Sequence, residues 1–353
     1  MRIHSRLKDY EVRLLQDLSF LQDLTRIPDA EYVIDEKVYG LYREHFAAIP
    51  AERLFLLKAV EENKVLDTAL AVCEKMTEIS AKRNTRLVAV GGGIIQDIAG
   101  FAANVLYRGI PWTFVPTTLL SGCDSCIGGK TSLNYKTYKN LLGTFYPPDE
   151  VYICPLFFNT LSQRDFESGL GEVVKFNIMA GREGLKNIEE SIGKLLERDA
   201  ACLNRFIESS LTFKKSFIEA DEFDRGERVK LNFAHTFGHA IETVTGYEIP
   251  HGTAVAIGMI MANRIAGRRG LTGSEILHRS EAVLLRIIHI GTDLGAYPVE
   301  RFIDAMRKDK KRTGDQLTAV LMTDTGDLMI VRDLTAEEVG DAVSYFVNLY
   351  RAQ

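Results

Sequence analysis

Long apolar runs are missing from this sequence. No stretch approaches the roughly 20 residues that a helix needs to cross a bilayer. The first residues, MRIHSRLKDYEVRLLQDL, also lack the apolar core of a signal peptide. We therefore expect no membrane partner and a cytoplasmic location.

The chain also has no excess of positive charge. Its formal net charge is -5, which provides no general electrostatic reason to bind nucleic acid, although a local basic cluster could still bind phosphate. We expect a small-molecule partner and no nucleic-acid partner.

Cysteines are few, and their number is odd. The five residues are scattered along the chain, which argues against a disulfide framework. Cys123 and Cys126 form a CxxC spacing, which also occurs in redox motifs and in half of a zinc site. Because no second cysteine pair accompanies them, we favour small buried thiols that line a loop.

The length of the chain indicates two domains. Its 353 residues exceed the size at which a single hydrophobic core usually stops growing. With 46% hydrophobic and 26% charged residues, the composition is that of an ordinary globular protein. We place the boundary between residues 155 and 156, where the sequence pattern changes.

The two parts of the chain show different periodicities. The first part alternates helix-like stretches with the short apolar runs EYVID, RLFLL, RLVAV and WTFVP. This alternation predicts an α/β domain with a mostly parallel sheet. From about Leu161 onward, apolar residues recur at helical spacing, which predicts a mainly helical second domain. Near the end, LTAVLM and DLMIV predict a small hairpin before a last helix.

Three consecutive glycines, Gly91, Gly92 and Gly93, follow a predicted strand and precede a predicted helix. Glycines at such a turn let backbone amides approach a phosphate, which the start of a helix also attracts. The pattern differs from the dinucleotide fingerprint GxGxxG. A simple strand-to-helix turn is therefore an equal alternative.

The stretch from residue 115 to 148 is rich in Thr, Asp, Gly, Lys and Asn. This composition predicts loops, which often bind ligands. Lys130, Lys139 and Asn140, with Arg108 upstream, could donate hydrogen bonds to a phosphorylated substrate. The alternative is a solvated basic loop.

Three of the seven histidines lie close together in the second half. His235 and His239 are four residues apart and so share one face of a helix, and His251 follows in a loop that opens the next helix. Two histidines and a carboxylate make an open zinc site. Glu172, with Lys175 one turn later on another predicted helix, is the candidate carboxylate. A lone histidine would more often be a core or surface residue, but the cluster favours a metal or catalytic role.

These segments, in this order, resemble the 3-dehydroquinate synthase family of sugar-phosphate cyclases, from about Asp35 to Lys311. The resemblance implies an N-terminal NAD-binding α/β domain and a C-terminal helical, metal-binding domain, with the active site between them. The motifs that carry it are EENK at 61 to 64, GGGIIQD, LYRGIPWTFVPTTLL, DSCIGGKTSLN, KNLLGTFYPP, SGLGEVVK, LNFAHTFGHAIE and HGTAVAIGM.

The resemblance also implies roles for individual residues. A zinc or cobalt ion would be held by Glu172, His235 and His251. NAD would be contacted by Asp35, Glu61, Lys64, Gly92, Gly93, Asp97, Thr117, Thr118, Lys139 and Thr160. The substrate would be contacted by Asp124, Lys130, Asn140, Lys175, Lys214, Arg228, Asn232, His239 and Lys311, the last in preference to Lys310. Catalytic roles are expected for Glu172, Lys130, Lys175, Lys214 and His239. Arg108 matches an arginine that reaches a neighbouring subunit's site, which implies a homodimer.

In the reaction implied by this resemblance, NAD+ transiently oxidises a metal-held ring hydroxyl, phosphate leaves, and the hydride returns before the carbocycle closes. This chain keeps Lys130, Arg228 and Asn232. Relatives that act on sugar phosphates without a carboxylate tend to replace these residues. With Lys214, Arg228 could bind a carboxylate. The expected substrate is therefore 3-deoxy-D-arabino-heptulosonate 7-phosphate, converted to 3-dehydroquinate in the shikimate pathway.

Four departures from the family pattern leave alternatives open. Gln96, Ser132 and Ala234 stand where glycine is usual, and Thr253 stands where glutamate is usual. A paralogous cyclase could therefore make another cyclitol from an amino analogue or a heptulose phosphate. A metal-dependent polyol dehydrogenase would instead release NADH in each turnover. A third alternative is an inactive homologue kept as a binding protein, against which the complete set of metal, lysine and arginine residues argues.

Overall fold

The structure is a computed structural model that describes residues 1–136, 138–308 and 317–352. Two compact units divide the chain, Met1–Leu161 and Ser162–Gln353. The predicted boundary, between residues 155 and 156, falls in the 3-10 helical segment Pro155–Thr160. Lys310 and Lys311, named above as substrate candidates, lie outside the described residues.

A mostly parallel β-sheet forms the centre of the first unit. Its strands are β1 (Arg2–Ile3), β2 (Tyr10–Leu14), β3 (Ala30–Asp35), β4 (Leu54–Leu57), β5 (Arg86–Gly91), β6 (Trp112–Pro116) and β9 (Glu150–Ile153), in the order β1-β2-β9-β6-β5-β3-β4. Within the described residues β1 pairs antiparallel with β2, and the other neighbours pair in parallel. The strands predicted from EYVID, RLFLL, RLVAV and WTFVP are confirmed.

Burial explains why these strands were recognisable. All residues of β6, and all of β5 after Arg86, are buried, as expected for parallel strands that are covered on both faces. The sequence therefore shows continuous apolar runs rather than an alternation. The helices of this unit are α1 (Phe20–Leu24), α2 (Glu36–Leu41), α3 (Leu66–Glu78) and α4 (Gly93–Val105).

The stretch from residue 115 to 148 is more ordered than we predicted. After a π-helical turn at Ser121–Ser125, strands β7 (Lys130–Tyr135) and β8 (Tyr138–Phe145) form an antiparallel hairpin, and β7 packs against α4. The prediction of loops was therefore wrong for this part. β8 exposes or half-exposes every side chain, so it lacks the apolar signature by which a strand is recognised.

The second unit is mainly helical, as predicted. A hairpin of β10 (Leu317–Met322) and β11 (Leu328–Leu334) precedes the last helix, which also confirms the prediction. The helices are α5 (Gln163–Met179), α6 (Gly181–Leu196), α7 (Ala200–Ala220), α8 (His235–Val244), α9 (His251–Arg268), α10 (Ser274–Leu285), α11 (Val299–Lys308) and α12 (Ala336–Arg351). Across the three described ranges, we find no helix with the length and apolar character that crossing a membrane requires.

Helix α9 is the core of the second unit. Its residues from Gly252 to Asn263 are all buried, and α5, α8, α10, α12 and β10 pack around it. A helix that is apolar on all sides belongs in a protein interior. The first residue of this buried helix is His251, and the helix therefore brings that ring to the candidate site.

Candidate metal and cofactor sites

Helices α5 and α9 touch at the level of their backbones. A Cβ on Gly171 would overlap the carbonyl of Gly252, and a Cβ on Gly252 would overlap the carbonyl of Ser168. The Gly252 amide also donates a hydrogen bond to Ser168 Oγ at 3.0 Å. Glu172 and His251 are the chain neighbours of these two glycines. The close crossing therefore brings the two side chains together.

Helix α8 also lies close against α9. A Cβ on Gly258 would overlap the carbonyl of Ala234, and a Cβ on Gly238 would lie 3.3 Å from the Val255 backbone. Ala234 itself has a left-handed conformation with φ 68°. This turn starts α8 at His235, whose ring reaches the same place as the first two side chains.

The three predicted metal ligands lie together. The Nε2 atoms of His235 and His251 are 3.4 Å and 3.5 Å from Glu172 Oε1. Glu172 is fully buried. A buried carboxylate that faces two imidazole nitrogens is the donor set of an open divalent-metal site.

Two predicted substrate residues lie beside this triad. Lys175 Nζ is 2.5 Å from Glu172 Oε2 and donates to the Leu231 carbonyl at 3.4 Å. The ring of His239 is centred 5.5 Å from that of His235 and 5.9 Å from that of His251. An ammonium group and a third imidazole therefore flank the position that a metal would take.

The charged groups of the site shift one another's pKa values. Burial, together with the Lys175 ammonium, lowers the pKa of His235 to about 4. Burial also disfavours protonation of His251, but its contacts with Glu172 and Glu242 outweigh this and raise its pKa to about 10. Burial would raise the pKa of Glu172, yet Lys175 and His235 hold it well below its usual value. The site therefore keeps an ionised carboxylate that favours a cation.

Glu242 belongs to this site, although we did not predict it. Its Oε2 lies 3.2 Å from His251 Nδ1. Donor atoms of His239, Glu242 and His251 all lie within 4.8 Å of one another. Glu242 follows His239 by three positions and His235 by seven, which places it on the same helix face. That spacing was the signal that could have revealed it.

The remaining predicted residues of the second unit lie on neighbouring segments. Arg228 is buried and donates to the Glu222 carbonyl. Asn232 is half-buried in the same 3-10 helical segment, Glu227–Asn232. Helix α7, which carries the buried Lys214, packs against this segment. Buried cations are uncommon in proteins, and they suit a site for an anionic ligand.

In the first unit, the glycine turn joins β5 to α4. A Cβ on Gly92 would lie only 2.9 Å from Thr118 Cγ2. At Gly93, apart from its chain neighbours and the nearby backbone of α4, none of the described atoms lies within 4 Å of the corresponding position. The Thr117 amide donates to the Gly91 carbonyl at 2.9 Å, which fixes the next loop beside the turn. The open space in front of a helix start fits an anionic group such as a pyrophosphate.

A polar cluster brings together several predicted cofactor and substrate residues of this unit. Lys64 Nζ lies 2.6 Å from Asp97 Oδ2 and donates to Asn140 Oδ1 at 2.7 Å. Ser132 donates to Asp97 from its amide and from its hydroxyl, each at 2.9 Å. Burial raises the pKa of Asp97, although Lys64 opposes the shift. Ser132 is thus a further member that we had noted only as a departure from the family pattern.

Other predicted cofactor residues make separate contacts. Glu61 Oε1 and Lys139 Nζ form an ion pair at 3.8 Å. Asp35 caps α2 by accepting a hydrogen bond from the Lys37 amide at 2.9 Å, and burial raises the pKa of Asp35. Thr160 Oγ1 lies 3.2 Å from the Tyr42 hydroxyl.

The π-helical turn carries Asp124, which is half-buried. Ser125, the next residue, is tied to Gln96 of α4 by two hydrogen bonds, from Gln96 Nε2 to the Ser125 carbonyl at 2.7 Å and from Ser125 Oγ to Gln96 Oε1 at 2.6 Å. Cys123 and Cys126 are buried free thiols, as we predicted. Lys130 and Arg108 are exposed.

Comparisons with known proteins agree with this geometry. A family model described as 3-dehydroquinate synthase N-terminal matches residues 54–168, and one described as 3-dehydroquinate synthase C-terminal matches residues 169–312. A 3-dehydroquinate synthase from Dictyoglomus turgidum is 36% identical over 301 residues, which cover 85% of this chain and 84% of that protein.

Two solved structures are similar over nearly the whole chain. The 2-epi-5-epi-valiolone synthase of Streptomyces hygroscopicus subsp. jinggangensis, with NAD+ and Zn2+ bound, has a TM-score of 0.85 and 27% identity and covers 98% of this chain and 99% of its own. A 2-deoxy-scyllo-inosose synthase, complexed with carbaglucose-6-phosphate, NAD+ and Co2+, has a TM-score of 0.84 and 25% identity, with coverages of 97% and 98%.

Proposed function

The chain belongs to the 3-dehydroquinate synthase family, and from that membership we propose that it converts 3-deoxy-D-arabino-heptulosonate 7-phosphate to 3-dehydroquinate and phosphate. It is an NAD- and metal-dependent cyclase. The observation that carries the proposal is the fully buried Glu172 carboxylate, which faces His235 and His251 on one side and Lys175 on the other.

The metal would be held by Glu172, His235 and His251. When bound, a Zn2+ or Co2+ ion would act as a Lewis acid toward oxygen atoms of the substrate. Lys175 and His239 lie close enough to this position to hold or move a proton at a substrate hydroxyl. Their placement supports the catalytic roles that the family resemblance implies for them.

The cofactor would be held in the first unit, where NAD+ would accept and return a hydride. The open space at Gly93 would take the pyrophosphate at the start of α4. Lys64 and Asp97 would hold a ribose of NAD+, because they form a charged pair that a ribose hydroxyl could join. Glu61, Lys139, Asp35, Thr117, Thr118 and Thr160 complete the proposed set.

A carboxylated substrate is supported by the buried cations of the second unit. Arg228 can present a guanidinium fork to a carboxylate, and Lys214 adds a second charge from α7. Asn232 lies on the same segment as Arg228. The family resemblance also assigns Asp124, Lys130 and Asn140 of the first unit to substrate binding. We therefore favour the heptulosonate phosphate over a sugar phosphate that has no carboxylate.

A homodimer is also part of the proposal. Arg108 is exposed and lies in a sharp turn, in which Tyr107, Arg108 and Gly109 all have positive φ. An exposed guanidinium is accessible to a partner subunit. If Arg108 acts across the interface, mixing the separately inactive Arg108→Ala and Glu172→Ala chains should restore activity in the mixed dimers.

We also propose a cytoplasmic location. The five cysteines are all free thiols, which fits a reducing compartment.

One incubation tests the proposed reaction. The purified chain is supplied with the heptulosonate phosphate, Zn2+ and a small amount of NAD+, and phosphate release is followed while the carbocycle is identified. We expect 3-dehydroquinate without net NADH. Stoichiometric NADH would instead indicate a polyol dehydrogenase, and preference for a heptulose phosphate or an amino analogue would indicate a paralogous cyclase.

A further inference from the structure

We infer that Glu242 is a positioning residue for the metal: it holds His251 with the Nδ1 atom as donor, so that Nε2 remains free to bind the ion. This inference rests on the proposed function, because it takes Glu172, His235 and His251 as the metal ligands. It adds a residue that none of those assignments includes.

The His251 ring lies between two carboxylates. Its Nδ1 is 3.2 Å from Glu242 Oε2, and its Nε2 is 3.5 Å from Glu172 Oε1. An imidazole that binds a metal ion is neutral and has one N–H donor and one nitrogen with a free lone pair. When the Nδ1–H group donates a hydrogen bond to Glu242, the lone pair is on Nε2, which faces Glu172 and would face the ion.

The two histidine ligands are held in different ways. His235 Nδ1 lies 3.0 Å from the carbonyl of Phe233, so the neighbouring backbone orients that ring. His251 is the first residue of α9 and is more exposed, with 31% of its side chain accessible compared with 12% for His235. Its orientation therefore depends on a side chain from another helix.

Glu242 is suited to this task. It lies on α8, the helix that begins with His235, and its side chain is only 15% exposed. This contact links α8 to the first residue of α9, and each of these two helices carries a proposed ligand. Loss of the contact would leave the His251 ring free to turn about its side-chain bonds.

Glu242 has one competing interpretation. With His239 and His251 it forms a second group of donor atoms within 4.8 Å of one another, and it could therefore be a direct ligand of another ion. In our proposal the His251 Nδ1 carries a proton and cannot bind an ion on that side. The chain should then take up one ion, not two.

The test compares substitutions of similar volume in the full chain, with Co2+ as the probe ion. Glu242→Gln keeps an oxygen that can accept from Nδ1, whereas Glu242→Met does not. Glu281→Met is the matched control, because Glu281 is another buried glutamate of the same unit, with a hydrogen bond from the Tyr345 hydroxyl at 2.8 Å. Affinity is measured by competition with a chelator, the number of bound ions by metal analysis, and ligand geometry by the visible Co2+ spectrum.

We expect Glu242→Met to weaken Co2+ binding roughly 10- to 100-fold and to change the spectrum. Glu242→Gln should retain most of the affinity, and Glu281→Met should match the unaltered chain. Every variant should bind one ion per chain. Thermal unfolding of the metal-free proteins shows whether a loss of affinity reflects a folding defect. If Glu242→Met does not fold, the Gln variant is compared with Glu242→Asp, whose side chain is one carbon shorter.

Two results would overturn the inference. One is unchanged affinity and spectrum in a folded Met or Asp variant. The other is uptake of two ions by the unaltered chain and of one by Glu242→Met, which would make Glu242 a ligand. Glu172→Ala separates this question from the proposed function: if that variant still binds Co2+ as tightly as the unaltered chain, the primary metal site itself is wrong.

Discussion

The amide of Gly252 lies 3.0 Å from Ser168 Oγ. This hydrogen bond marks the point where α5 and α9 come together without intervening side chains. The crossing sets the positions of Glu172 and His251, because each is adjacent in the chain to one of the two glycines in contact there. The metal site thus depends on two residues that offer no ligand atom, Gly171 and Gly252.

Gly252→Ala should separate these helices, because the added Cβ would overlap the Ser168 carbonyl. We expect a stability loss of about 1–3 kcal/mol from overpacking and a metal affinity that is lower by roughly 10- to 100-fold, as for other changes that misplace a ligand. Chelator competition and urea unfolding measure the two effects. Gly193→Ala in α6 is the control. Outside its own stretch of helix, the atom nearest to the added Cβ is Arg286 Nη2 at 3.9 Å. This variant should keep its metal affinity, and its free energy of unfolding should rise by up to about 1 kcal/mol. Equal metal affinity in both variants would contradict this role of the crossing.

The cluster of candidate ligands could be predicted from sequence, but the helix crossing could not. His235 and His239 are local on one helix, so their shared face follows from helical spacing alone. The contact of Gly171 with Gly252 joins residues far apart in the chain, and a glycine does not show what approaches it. Glu242 was recognisable by its spacing from both histidines, yet only the structure shows that its partner is His251.

In the first unit, too, only part of the structure could be predicted from the sequence. Strands β5 and β6 were predicted correctly because both of their faces are buried. The β7–β8 hairpin was missed because polar contacts, such as those of Ser132 with Asp97, hold it in place. Contacts of this kind depend on tertiary structure and leave no periodic signal in the sequence.

Gly93→Val tests the proposed pyrophosphate position. Apart from the chain neighbours and the nearby backbone of α4, none of the described atoms lies within 4 Å of the added Cβ, so the fold should survive. A bulky side chain would nevertheless block the approach of an anion to the first amides of α4. Loss of charge-assisted hydrogen bonds should weaken NAD+ binding by about ten- to a hundredfold, as measured by calorimetry. Gly40→Val, an exposed glycine of α2 with equally open surroundings, should leave NAD+ affinity unchanged. If Gly93→Val binds NAD+ normally, the glycines form only a turn.

Ala234→Gly should stabilise the protein. Ala234 has φ 68°, a left-handed conformation that is unfavourable for any residue with a Cβ. After allowing for the greater chain entropy of glycine, we expect a gain of about 0.5–1 kcal/mol in the free energy of unfolding. Ala234→Val should lose stability instead, because a β-branched residue tolerates this conformation poorly. Urea titration of both variants checks the order, and a Gly variant less stable than the unaltered chain would contradict the assignment of strain.

Arg228→Lys tests the choice of substrate. The charge stays, but the guanidinium fork is lost, so kcat/KM for the heptulosonate phosphate should fall by roughly ten- to a hundredfold, or about 1.5–3 kcal/mol. The loss should be confined to carboxylated substrates. Arg225→Lys, at an exposed position nearby, is the control and should behave as the unaltered chain. Normal turnover of the heptulosonate phosphate by Arg228→Lys would remove the support for a carboxylated substrate, while the cyclase assignment would remain.

Glu31 makes the stability of the protein depend on pH. It lies in β3, fully buried, and neither of its carboxylate oxygens has a hydrogen-bond partner in the described part of the chain. Burial raises its pKa from the ordinary 4.5 to about 7, although Lys75 and Arg53 favour the charged form. Between these values the folded state keeps a proton that the unfolded state releases. Stability should therefore fall as the pH rises from about 4.5 to 7 and change little above that range on account of this group.

Glu31→Gln removes this titration. Relative to the unaltered chain, the variant should gain stability as the pH rises from about 5 to about 7, and the difference should then level off toward about pH 8. The total change in the difference between the two free energies of unfolding should be about 1–3 kcal/mol. Urea unfolding of both proteins across this range measures the difference. Glu62→Gln, at an exposed position of the same unit, should show no such trend. A Glu31→Gln difference that stays constant from pH 5 to pH 8 would show that Glu31 is ionised in the folded protein throughout, and that the buried carboxylate has a partner which stabilises its charge.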